Sequence, residues 1–569
     1  MVFLPVMERE LRVAARKRST TWLRVVAALV ALIIGSGFLA MSVTGGLAAR
    51  SGGALFGTLT WLAFACSLAA GVFFTSDSLS EEKREGTLGF LFLTDLRIYD
   101  IVGGKLLATS LRGAYALLAL FPVLAVTLIM GGVTGIQFWK SSLALVNALF
   151  CSLAAGLFVS SFCRDSQRAM GGTLLLLLVV SAGGPIADSI RAALGLTGFK
   201  SLLSLTSPVY VFWAASAWGK TYFWTGLLAT HVIGWAWLGL ACLFVPHTWQ
   251  DRPEGNPRKA SFRYSWKYGV APGRATRRRK LIEPNPVLWL ALRERWQWTI
   301  VWFLVLLVLG PFAAISITFS SMVWIIWLQI SRLVLVVLYL WAASQSSRFF
   351  IEARKSGLME VLLVTPLTSR DIVLGQWHAL IRLFWLPVLL LLVLQLAGSL
   401  FSQRVSMGVS AATGGASAPF FALNLLSGVL GAISMLGNLV AVIWVGMWMG
   451  LSSKNASAAT LKTLVFVQVL PWVAISIAST TLAGVLLFQR VFTGGTPSAN
   501  MMFTFPLIIA GLSAVLSLGK DIAFFIWARN RLNSSLRSVA AQLPVMPPGP
   551  AGASPTGLKA VPPVLPIQR

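Results

Sequence analysis

The chain has 569 residues, 57% hydrophobic and only 11% charged, with a formal net charge of +28 and a mean hydropathy of +0.79. So few charged groups cannot cover a soluble globular domain, so lipid has to be part of the solvent. The apolar runs are long and unalternating, which excludes a transmembrane barrel and leaves helices, the element that satisfies its own backbone in hydrocarbon.

Runs of about twenty apolar residues predict an all-α polytopic membrane protein of about twelve spans. The first six lie near 22–42, 54–76, 106–131, 139–162, 169–187 and 222–246. The second six lie near 299–319, 323–345, 378–400, 422–451, 463–488 and 502–528. The first run has spanning length and no small-residue cleavage site behind it, which argues against a cleavable signal peptide. The chain therefore divides into a six-span half (1–246), a basic linker (247–283), a second half (284–530) and a Pro-rich tail (531–569). The tail lacks apolar periodicity and is expected to be disordered.

The positive charge follows the topology. Arg9, Arg12, Arg16, Lys17 and Arg18 precede the first span, and Arg277 to Lys280 lie in the linker. Arg164, Arg168, Lys454, Lys462, Arg529 and Arg531 fall on the same side once alternate loops are assigned to alternate faces. The positive-inside rule then predicts a multi-pass protein of the inner (cytoplasmic) membrane with both termini cytoplasmic. Anionic lipid accounts for the basic excess, and nucleic acid is not expected.

Cys66, Cys151, Cys163 and Cys242 form no CxxC pair, and His231, His247 and His378 are dispersed. No metal, catalytic or nucleophile constellation is expected from them. A phosphate-binding loop is not expected either: Gly219-Lys220-Thr221 has Ala214 in place of the first glycine, and Gly104-Lys105 is followed by Leu106. Arg332 lies mid-span, where a charge is expensive, and is a candidate for a substrate pathway or an inter-helix hydrogen bond. Lys520 and Asp521 are expected to pair at the inner end of the last span.

The second-to-third-span segment is written twice. "SEEKREGTLGFLFLTDLRIYDIVGGK" (Ser80 to Lys105) and "IEARKSGLMEVLLVTPLTSRDIVLGQ" (Ile351 to Gln376) align without a gap at an offset of 271. Glu81 meets Glu352, Gly86 meets Gly357, Leu91 meets Leu362, Thr94 meets Thr365 and Gly104 meets Gly375. Lys83-Arg84 opposes Arg354-Lys355, and Asp100-Ile101-Val102 meets Asp371-Ile372-Val373. Each fourth span ends alike, Gly156 to Arg164 and Gly446 to Lys454. The halves are thus parallel rather than inverted repeats. Each segment is a charged helix-prone stretch, a glycine that permits a bend, an apolar stretch too short to span, and an Asp placed to cap the next helix. Such an element lies in lipid headgroups or docks in a partner's groove, and duplicated acids argue for the groove.

At these residues the chain resembles the second-to-third-span signature of ABC-2 type transporter permeases. Residues 360–368, EVLLVTPLT, are the closer copy; in the first copy Gly89 replaces a Glu and Asp95 a Pro of that signature. The resemblance implies a permease without chemistry of its own, in an exporter powered by two copies of a separate cytoplasmic P-loop ATPase. ATP and Mg would be cofactors of that partner, with none on this chain. It implies coupling helices at 81–96 and 352–367, with Glu81, Arg84, Gly86, Leu91, Thr94, Glu352, Lys355, Gly357, Glu360, Leu362 and Thr365 as ATPase-coupling residues. It also implies surface helices near 7–18 and 287–298 and small exoplasmic caps near 188–220 and 488–502.

Two other readings fit twelve spans. A major-facilitator-like secondary transporter should carry a G-x-x-x-D-R-x-G-R-R loop and buried acids, where this chain has Ser80 to Gly86 and few acids in spans. A non-transporting membrane scaffold gives no reason for a duplicated docking helix.

Overall fold

The computed structural model describes residues 48–93, 97–193, 203–216, 222–248, 285–292, 323–413, 418–453, 455–475 and 499–542, with a few isolated positions besides. Among these residues the protein is entirely helical, and ten helices are long and apolar enough to cross a membrane. They correspond to ten of the twelve expected spans; the spans near 22–42 and 299–319 lie outside the described residues. The surface helix expected at 7–18, the linker's interior, the cap at 488–498 and the tail beyond Gln542 lie outside them too.

In the first half, α1 (Ala48–Ala70) runs through a π-helical turn (Gly71–Thr75) into α2 (Ser78–Glu85) and α3 (Thr87–Phe92). There follow α4 (Ile98–Met130), α5 (Gly135–Phe162), α6 (Ser166–Ala193), α7 (Pro208–Ser216) and α8 (Phe223–Thr248). The second half has α9 (Pro286–Leu292), α10 (Val323–Lys355), α11 (Leu358–Val364), α12 (Ser369–Thr413), α13 (Ala418–Ser452), α14 (Ala456–Leu464) and α15 (Ala499–Gln542). A second π turn, Val465–Val469, continues α14.

The order of packing repeats. In each half the second span lies against the fourth and the fourth against the sixth: α1 on α5 on α8, and α10 on α13 on α15. Close approach depends on one glycine in each fourth span. A Cβ on Gly156 would collide with Thr75 Oγ1, and one on Gly446 with Ser346 Oγ. Thr75 and Ser346 are themselves related by the offset of 271, so one backbone contact is built twice. Small residues allow this in lipid, where association rests on van der Waals fit rather than on exclusion of water.

The halves meet through α6, α10 and α14. Gln167 Nε2 donates to the Ser344 carbonyl at 2.8 Å, and Asn455 Nδ2 donates to Glu81 Oε1 at 3.2 Å. At the charged end, α9 is held on α12. Asn285 Nδ2 donates to the Asp371 carbonyl at 2.8 Å, and Gly375 leaves room for the Asn285 and Val287 side chains.

Two expectations shift. The last helix runs on to Gln542, beyond residue 531 where the sequence places the start of the tail. Residues 529–542 contain neither Gly nor Pro, and Ala528, Leu532 and Leu536 form a buried i, i+4 stripe that continues the helix. For the same reason Lys520 and Asp521 sit in the middle of α15 rather than at its end. They pair at 2.7 Å, and Lys520 also donates to the Val467 carbonyl at 3.1 Å and to Asn438 Oδ1 at 3.4 Å.

Candidate functional site

Both copies of the repeated segment fold alike. A helix ends at Glu85 or at Lys355, a glycine reverses the backbone, and a short helix follows. Gly86 and Gly357 both have φ of 71°, the left-handed region where a side chain is strained. Each next span starts with an Asp at its third position. The Asp100 carboxylate accepts from the Arg97 N–H at 3.0 Å, and that of Asp371 from the Thr368 N–H at 3.0 Å. The Asp therefore caps from inside the first turn, as in a capping box, rather than from the N-cap itself.

The basic pair divides its work. Lys83 is buried; it donates to the Ser161 carbonyl and, at 2.8 Å, to Thr248 Oγ1. Arg354 donates to the Leu451 carbonyl at 2.8 Å and to that of Ser453. Ser161 and Leu451 occupy matching places at the ends of α5 and α13, so both cations satisfy the last carbonyls of a fourth span. Arg84 instead pairs with Asp77 at 2.9 Å and donates to the Arg164 carbonyl at 2.8 Å, while its counterpart Lys355 is exposed.

The acids differ between copies. Glu81 is half-buried and takes the bond from Asn455 of the other half. Glu352 is exposed and pairs with Arg348 Nε at 2.6 Å. Glu360 is exposed, and Thr365 Oγ1 donates to the Leu362 carbonyl at 2.6 Å. Thr94 lies outside the described residues; Leu91 on α3 and Arg332 on α10 have side chains outside them.

The short helices are two-sided. Leu88 (1% exposed) and its counterpart Met359 (3%) point inward, as does Leu362 (5%). Phe90 (70%) and Leu93 (83%) point outward, and so do their counterparts Val361 (61%) and Val364 (88%). Leu362, expected among the coupling residues, is therefore an anchor of its helix. The outward pairs are not among the coupling residues that the resemblance implies, although their spacing of three, offset from the anchors, is a signal in the sequence. Among the described residues the two segments bring no acid–base or nucleophilic arrangement together. They offer two apolar knobs on each of two equivalent hinged helices.

Fold and site define a helical multi-pass membrane protein with two matching hinged short helices. Residues 4–218 match the family model described as ABC-2 family transporter protein; no curated protein matches the chain. That stretch is similar to the ABC-2 transporter family, which supports a membrane permease component of an ABC-type transporter.

Proposed function

We propose that the chain is the membrane permease of an ABC-2 type exporter, driven by two copies of a separate cytoplasmic P-loop ATPase. In this reading the ATPase supplies the ATP and Mg site. The positive-inside charge pattern supports a place in the inner membrane with both termini cytoplasmic. The observation that carries the reading is the paired exposure of Phe90 with Val361 and of Leu93 with Val364 on hinged helices of matching backbone. One surface built twice fits two copies of one partner, each accepting a short amphipathic helix in a groove. A lipid-facing role alone would not require the same hinge and the same exposed register in both halves.

A mild-detergent pull-down of the tagged chain, with crosslinking and mass spectrometry of stoichiometric partners, tests this. A P-loop ATPase at two copies per chain is the expected result. Recovery of the chain without an ATPase, with crosslinks to lipid only, would refute the docking role and return the secondary-transporter and scaffold readings.

A further inference from the structure

The sixth spans of the two halves keep one register and expose different chemistry. Gly156 and Gly446 relate the fourth spans at an offset of 290, and the sixth spans follow it. His231 Nδ1 lies 3.1 Å from Asn147 Oδ1. Their counterparts Asp521 and Gly437 also meet, since a Cβ on Gly437 would come within 3.4 Å of Asp521 Oδ2. Residues 239–248 of α8 therefore stand where α15 has residues 529–538.

Toward the charged end α8 turns Leu240 (39% exposed), Leu243 (65%) and Phe244 (42%) outward, a face suited to acyl chains. The counterparts on α15 are Asn530, Asn533 and Ser534, equally exposed, with Arg529 in place of Gly239 and Arg537 in place of His247. Arg529, Asn533 and Arg537 follow at a spacing of four and form one stripe of the helix. Deeper in the membrane the same stripe continues through Ile526 (50% exposed) and Ile522 (57%). Arg537 Nη2 donates to the Leu367 carbonyl at 3.1 Å, just before α12. Arg529 lies eight residues further into the span, about 12 Å along the axis, with its guanidinium 5.9 Å from the Phe525 ring centroid. Neither arginine pairs with a carboxylate among the described residues. One carbonyl and one ring face leave both charges uncompensated, and a guanidinium at the edge of hydrocarbon is costly unless an anion meets it.

We propose that this stripe of α15 binds the headgroup of an anionic phospholipid from the leaflet at the charged end. Arg529 takes the phosphate, since a guanidinium matches phosphate oxygens in planar, bidentate geometry. Arg537 keeps N–H groups beyond the one given to Leu367 and closes on the headgroup from the aqueous side. Asn533, between them, donates its amide to a headgroup oxygen. Ile526 and Ile522 lie below the phosphate, where the acyl chains begin. That order, cation then apolar surface along one stripe, fits a lipid better than the acidic face of a protein. The lipid site stands whether or not an ATPase docks on α11.

The test is native mass spectrometry of the full chain after delipidation and exposure to equimolar dioleoyl phosphatidylglycerol and phosphatidylcholine. The wild type should retain phosphatidylglycerol several-fold over phosphatidylcholine, and Arg529→Gln should lower that retention about tenfold. Asn533→Leu installs the first half's residue and should lower it several-fold. Arg531→Gln removes the same charge about 200° around the helix and should leave retention unchanged. All these side chains are exposed, so the variants should remain monodisperse. Equal losses in Arg529→Gln and Arg531→Gln would overturn the site in favour of general attraction between a basic protein and an anionic leaflet. Equal retention of both lipids by the wild type would overturn it outright. Equal occupancy by chain-free glycerophosphoglycerol would replace the lipid with a soluble phosphodiester, and retention lost whenever an ATPase co-purifies would assign the face to that partner instead.

Discussion

Lys83 and Arg354 show how one charge is put to a structural use. A helix leaves its last carbonyls unsatisfied, and in each half the fourth span ends under the second span's basic residue. Replacing Lys83 with Met removes a donor from buried acceptors, a loss on the order of 1–3 kcal/mol for a charged hydrogen bond. We expect Lys83→Met to lower the thermal midpoint of the detergent-purified protein by several degrees. Lys83→Arg, the second half's own chemistry, should recover most of it. An unchanged midpoint in Lys83→Met would remove the capping role. The neighbouring Arg84 and Lys355 are not interchangeable with this pair. The sequence shows two basic doublets in register, but a charge pattern does not say which member turns inward, because that depends on where the fourth span ends in space.

At the scale of elements, the hinge was legible and the faces of the helix after it were not. Gly86 and Gly357 stand out because a glycine between a charged helix and an apolar run is where a backbone can reverse. Helices of six or seven residues are too short for periodicity to declare a buried side; the neighbouring spans decide that Leu88, Met359 and Leu362 turn inward. Ten of the twelve expected spans have counterparts among the described helices, yet their ends were not readable from hydropathy. Helices such as α10 and α15 continue past the hydrocarbon under charged residues that no hydropathy threshold counts. The hinge is open to a direct test. A Cβ at Gly357 would meet nothing within 4 Å, so Gly357→Ala costs only backbone strain, roughly 1–2 kcal/mol. The variant should insert and remain monodisperse while the partner's ATP hydrolysis loses its response to transport substrate. Retained stimulation would mean that the angle of α11 does not matter.

For the whole molecule, the repeat is matched where a partner would dock and mismatched beside it. Glu81 is tied across the junction to Asn455, whereas Glu352 is held within its own half by Arg348. Asn455 stands where the first half has Asp165, and a carboxylate at position 455 would repel Glu81. The two short helices nevertheless expose the same register, which separates the repeated apolar surface from the scaffold that carries it. If each helix holds one ATPase, occupancy should fall in steps. Val361→Asp with Val364→Asp places charge on one knob pair only and should leave one ATPase per chain by native mass spectrometry. Phe90→Asp with Leu93→Asp should do the same through the other helix, and the four changes together should leave none. These side chains are already exposed, so none of the variants should lose more than a few tenths of a kcal/mol in fold stability. If either two-residue variant released both copies, the ATPases would hold each other rather than dock independently. If the fourfold variant kept both, the knobs would not be the contact at all.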